Sequence, residues 1–153
     1  SRGGLGAHPA ADVDDDAQRV ARASERERLI IEAQWALLTS SPNLSPLADS
    51  LTLRYPLEVE GHLFSGIALF KQARYPESIR ALERAVAMDS ASVARGRAQC
   101  SACDGLEYLV RAYRYTDDYA GAEREARRWL RLQPRSAQAW EQLHFVLGAR
   151  GHP

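Results

Sequence analysis

Lysine is almost missing from this sequence: Lys71 stands alone, and the other nineteen of its twenty basic residues are arginine. Twenty acidic residues cancel them, so no net field draws the chain toward nucleic acid or anionic lipid. A GC-rich genome explains the arginine bias more simply than selection for bidentate anion binding. Long apolar runs are missing as well. None approaches the ~18 residues that span a bilayer, and no signal-peptide apolar core is present, so no membrane segment is predicted in this stretch of chain. Alternating runs of β-branched residues are also absent, and no strand is predicted.

Cysteine is confined to Cys100 and Cys103. A thioredoxin-like redox pair needs a βαβ setting, which a chain without strands cannot give. Zinc asks for four ligands, and the histidines are scattered at His8, His62, His144 and His152. Haem attachment would need a histidine after Cys103, where Asp104 stands. Structural thiols or a local disulfide remain, since cysteines three apart at a helix start can approach closely enough to bond. No metal and no cofactor are expected, and the cytoplasm is favoured slightly over an exported location. The acidic run Asp12 to Asp16 lacks the interior glycine and distal glutamate of a calcium loop. No nucleophile motif, glycine-rich phosphate loop or carboxylate pair is present, and a non-enzyme is expected.

Helix signals are plentiful. Ser24-Glu25-Arg26-Glu27 has the form of a capping box that opens a helix at Ser24. Leu29, Ile30, Ala33, Ala36 and Leu37 follow at helical spacing. Pro46 and Pro76 sit where second helices should begin, a place that needs no backbone donor. Beyond Pro76, Ile79, Leu82 and Val86 stripe one face, while Glu77, Arg80, Glu83 and Arg84 stay on the other. The predicted class is all-α.

A 34-residue period runs through these helices. In residues 103–136, Leu106, Leu109 and Tyr113 precede Asp118-Tyr119, small Ala122 and Ala126, and a closing Pro134. Thirty-four residues beyond Leu106 stands Trp140, followed by Leu143 and Leu147 at the same spacing. Residues 59–92 carry Gly66, Leu69, Tyr75, Ser78, Leu82 and Ala85; residues 25–58 carry Ile31, Trp35, Ala48 and Tyr55-Pro56. This pattern resembles the tetratricopeptide repeat. The resemblance divides the chain into a flexible tail (1–9), a trailing helix of a preceding half-repeat (10–24), repeat 1 (25–58), repeat 2 (59–92), an insertion (93–102), repeat 3 (103–136) and a half-repeat or capping helix (137–153). Departures occur at Arg28, Glu32, His62 and Ser65, where the family is apolar or small, and at Trp129, which takes the place of Ala85.

The resemblance implies an α-solenoid of seven or eight stacked antiparallel helices, a right-handed superhelix whose first helices line a concave binding face. By register that face takes Leu29, Ala33 and Leu37, then Leu63, Ile67, Phe70 and Lys71, then Glu107, Arg111, Arg114 and Tyr115, then Glu141 and Phe145. Its implied ligand is a protein or peptide with an apolar anchor and an acidic group, and Arg111 and Arg114, three apart, are expected to grip one carboxylate. Ala33 and Ile67 replace the asparagines of the chaperone-type carboxylate clamp. Ser24 to Ala33 is similar to tetratricopeptide regions of bacterial multidomain signalling proteins, which implies a piece of a larger regulator. Two alternatives accompany this reading: self-association, and nucleic-acid binding through the arginine-rich helix 122–136, with Trp129 stacking on a base. The same register puts Gly66 at a close contact within a helix pair and Gly121 at a helix start, so enlarging Gly66 should cost more.

Overall fold

A computed structural model describes residues 9–94 and 103–151, with side chains over 13–89 and 103–151. Among these residues there are seven helices and no strand: α1 (Pro9–Leu38), α2 (Leu44–Arg54), α3 (Val59–Lys71), α4 (Tyr75–Ala94), α5 (Cys103–Tyr115), α6 (Tyr119–Leu132) and α7 (Ala137–Ala149). α3 and α7 begin at 59 and 137, the positions at which the repeat register opens its units, and α5 is described from Cys103 onward. Pro46 and Pro76 lie in the first turns of α2 and α4.

The helix start expected at Ser24 does not exist. α1 runs through it without a break, so residues 10–24 and the first helix of residues 25–58 are one element. A capping side chain matters only where the preceding chain leaves the helix. Here Ala17, Arg19, Ala21, Arg22 and Ala23 are strong helix formers, and no glycine or proline interrupts the chain between Pro9 and Pro42. Of the insertion 93–102, Val93 and Ala94 continue α4, and 95–102 lie outside the described residues.

The same turns recur along the chain. Two residues beyond the ends of α1, α3, α5 and α7, the backbone enters the left-handed region, at Ser40 (φ 51°), Ala73 (59°), Asp117 (59°) and Gly151 (74°). In the first three, an amide one residue further donates back five positions: Ser41 to Ala36 (2.8 Å), Arg74 to Leu69 (3.0 Å) and Asp118 to Tyr113 (2.9 Å). That is the Schellman closure, which satisfies carbonyls the helix end leaves open. α2 and α6 end differently and alike. Tyr55 and Gln133 take φ near −131° and −133°, each immediately before a proline that forbids helical backbone at the preceding residue.

Packing follows chain order. Each helix touches the next, α1 touches α3, α3 touches α5, and α5 touches α7. Among the described residues, α2, α4 and α6 do not touch one another. The odd-numbered helices thus form a close row, and each even-numbered helix touches only its two neighbours in the chain. Leu51, Ile67, Leu82, Leu106, Leu109 and Val146 are fully buried between the layers, each contributing about 1.5–3 kcal/mol through lost apolar exposure.

Small residues set the spacing. A Cβ on Gly66 would lie 2.5 Å from Leu82 Cγ, and beside it the buried Ser78 Oγ donates to the Gly66 carbonyl at 2.7 Å. A Cβ on Gly105 would lie 2.6 Å from Leu63 Cδ1. Gly121 corrects the sequence expectation. Although it sits in the first turn of α6, the Tyr113 ring (2.7 Å) and the Asp118 carboxylate (2.8 Å) fill the space its Cβ would need.

Candidate functional site

α5 touches both α3 and α7, and among the described residues the side chains it shares with them form the densest cluster of rings and cations. Residues 108, 111 and 115 recur at i, i+3 and i+7, which puts them on one helix face. Tyr108 meets Phe70 of α3 edge-on at 5.3 Å, and Tyr115 lies 5.8 Å from the same ring. Tyr75, the first residue of α4, closes the group, edge-on to Phe70 (5.4 Å) and stacked on Tyr115 (4.9 Å). Offset and edge-on ring pairs of this kind add about 0.5–1.5 kcal/mol each beyond their buried area. The Arg111 guanidinium sits over Phe70 (4.9 Å) and near Tyr108 (5.7 Å), and 3.8 Å from the Glu107 carboxylate.

On the other side of α5, Arg114 lies over Phe145 of α7 at 3.6 Å and donates to Gln142 Oε1 at 2.8 Å. Its Nε is buried without a protein partner. Arg111 therefore turns toward α3 and Arg114 toward α7. The expectation that both grip one carboxylate is corrected: each arginine is drawn to the nearest aromatic ring, and those rings stand on opposite neighbours.

Of the other predicted face residues, Tyr115 and Phe145 are more than half exposed, and Lys71 is exposed at the end of α3. Glu107 and Arg111 are about one-third exposed. Leu63, Ile67, Leu29 and Ala33 are buried and do not reach the surface. They are core residues because α3 packs against α1, α2, α4 and α5 together, which uses up its apolar positions. Phe70, almost covered, is the floor of the ring cluster rather than an exposed anchor. Sequence reasoning passed over Tyr75, Tyr108 and Gln142. The period-3/4 spacing of 108, 111 and 115 could have found Tyr108; Tyr75 enters the sequence pattern only as a repeat position, and its stacking on Tyr115 depends on the turn geometry.

The arginine-rich stretch 122–136 is mostly α6 and its following turn. Arg127 pairs with Glu123 at 2.9 Å, and Arg124 and Arg128 reach the buried Glu125 at 3.0 and 3.8 Å. The Arg127 hydrogen bond holds the Glu123 carboxyl below the usual carboxylate range. Trp129 is buried and its indole N–H donates to Gln133 at 2.8 Å, so the expected base-stacking surface is absent. Behind α5, the buried Tyr113 hydroxyl donates to Glu83 and accepts from Arg124 at 3.1 Å. Burial, reinforced by Glu83, pushes the Tyr113 phenol well above its ordinary value.

Cys103 is buried at the start of α5 and is disulfide-bonded; Cys100 lies outside the described residues. Among those residues, no group of three or more His, Cys, Asp or Glu is placed to hold a metal, and no helix is long and apolar enough to cross a membrane. No known protein-family profile matches the chain, and no curated protein is detectably similar to it in sequence.

Proposed function

We propose that the chain is a non-catalytic protein-interaction scaffold of the tetratricopeptide type. In this reading the helix pairs stack into a right-handed α-solenoid, and a partner peptide or domain is held on the α3–α5–α7 face. The observation that carries the reading is the unequal packing of the two rows: odd-numbered helices touch, even-numbered ones do not. Rows of unequal spacing curve toward the closer one, which makes the odd-numbered helices the inner, concave surface. The recurrence of one turn after α1, α3 and α5 supports the same repeat. The resemblance read in Ser24 to Ala33 is the only support for setting this scaffold within a larger bacterial regulatory protein, and that remains part of the proposal.

On that face, exposed Tyr115 and Phe145 offer apolar contact, while Lys71 and the partly exposed Arg111 offer positive charge. A segment carrying an aromatic or aliphatic side chain beside an acidic one suits them. Nucleic-acid binding through 122–136 has weaker support, because its arginines are largely engaged with glutamates and Trp129 is covered.

The test is capture of partners from the source cell by the wild-type chain and by variants. Tyr115→Ala combined with Arg111→Ala should lower capture at least tenfold, whereas Arg127→Ala on α6 should leave it unchanged. Loss with Arg127→Ala alone would move the site to the outer row.

A further inference from the structure

α1 has two apolar faces, and the fold uses one. Leu29, Ala33 and Ala36 are buried against the body of the protein. On the opposite side Val13, Val20, Ile31 and Leu38 are 65%, 66%, 68% and 72% exposed. Seven residues separate the first two, eleven the middle two and seven the last two. Seven and eleven residues are close to two and three whole turns, so all four side chains form one stripe along the helix.

The spacing 7–11–7 reads the same from either end. A second α1 laid antiparallel, with the crossing point between Glu25 and Arg26, sets Val13 level with Leu38 of its partner and Val20 level with Ile31, and does so twice. Such a match is the self-complementarity that a two-fold interface requires. Among the described residues nothing covers the stripe, because the buried face alone holds α1 to its neighbours.

The surroundings of the stripe point the same way. Its C-terminal half borders a groove of about 670 Å³ between α1 and α2, walled by Ile31, Trp35, Pro46 and Leu47, with Trp35 67% exposed. Its N-terminal half is an arm. Residues 13–24 are exposed on every side, and the first ties to the body are at Glu25, which accepts from the Tyr55 hydroxyl at 2.9 Å and pairs with Arg54, with the Arg22 carbonyl 3.2 Å from the same hydroxyl. Arm and groove adjoin along one helix, so in an antiparallel pair each copy's arm covers the other's groove. From Val13 to Leu38 the shared seam is about 38 Å long, at 1.5 Å per residue.

We infer that a second copy of this chain occupies the stripe, through an antiparallel α1–α1 contact that makes the protein a two-fold dimer. Sedimentation equilibrium of the whole chain at about 100 μM should return twice the 17.0 kDa chain mass. Val20→Asp and Ile31→Asp should each weaken association at least tenfold and leave the helical circular dichroism unchanged, since both positions are exposed. Direction is read by cross-linking. A mixture of Val20→Cys and Ile31→Cys chains should form an intermolecular disulfide on mild oxidation, and neither variant alone should do so, because like residues sit about 16 Å apart along the seam. A monomeric wild type overturns the inference and assigns the stripe to another segment or partner. A dimer that survives Ile31→Asp, or that cross-links through Val20→Cys alone, overturns it too. No residue is shared with the α3–α5–α7 face, so either reading can fail without the other.

Discussion

The Arg114 guanidinium lies 3.6 Å from the centre of the Phe145 ring, and with its hydrogen bond to Gln142 it fastens α7 to α5. Arg114→Ala should destabilise the chain by about 1–2 kcal/mol, the range for a partly desolvated cation–ring contact and one hydrogen bond. Arg114→Lys should recover less than half, because an ammonium cannot lie flat on the ring. A double-mutant cycle with Phe145→Ala, followed by urea unfolding, should give a coupling of about 0.5–2 kcal/mol. Additive effects would mean that the contact contributes nothing.

Ala73 occupies a left-handed backbone position that only glycine holds without strain. Ala73→Gly should stabilise the chain by about 0.5–1 kcal/mol despite glycine's greater freedom when unfolded. Asp117→Gly, in the same turn after α5, should gain less, since aspartate tolerates that conformation better. Thermal melts of the two variants rank them.

Glycines inside the helices divide by what surrounds them. Gly66→Ala and Gly121→Ala should each cost about 1–3 kcal/mol, because Leu82 and the Tyr113 ring already fill the space a Cβ needs. Gly148 has nothing within 4 Å, and Gly148→Ala should stabilise by about 0.5–1 kcal/mol through helix propensity. Equal melting temperatures across the three would contradict the packing described.

Ionisation sets both pH limits. The Tyr55 hydroxyl and then Arg54 hold the Glu25 carboxyl below its ordinary 4.5, and hydrogen bonds from Arg74 and Arg127 do the same for Glu77 and Glu123. A depressed folded-state value means that stability is whole above pH 4.5 and is lost as pH falls through the lower values. Glu25→Gln should flatten that acid limb. Tyr113 and Tyr55 are raised, chiefly by burial and then by Glu83 and Glu25. Their contribution is whole below the ordinary value of 10 and is lost as pH rises beyond it. In spectrophotometric titration, Tyr113→Phe should remove one late-ionising phenol.

The starts of α3 and α7 are legible in the sequence because they coincide with local breaks: Pro56 and Pro134 follow the ends of the preceding helices, and the cap at Ser136 opens α7. Ser24 misled because a cap residue is also tolerated inside a helix when its neighbours are helix formers. Helical spacing put Arg111, Arg114 and Tyr115 on the surface of α5. It could not say that the two arginines diverge, since that depends on where Phe70 and Phe145 stand on other helices. Leu63 and Ile67 moved from face to core for a related reason: burial counts neighbours, and α3 has four.

Among the described residues, no helix touches another more than two places away along the chain, and nothing joins α1 to α7. Helix–helix contacts among them therefore join only first and second neighbours along the chain, and the loop-closure entropy that opposes each stays modest. The chain should fold within milliseconds, and a steady pull on its two ends should peel it apart one helix pair at a time.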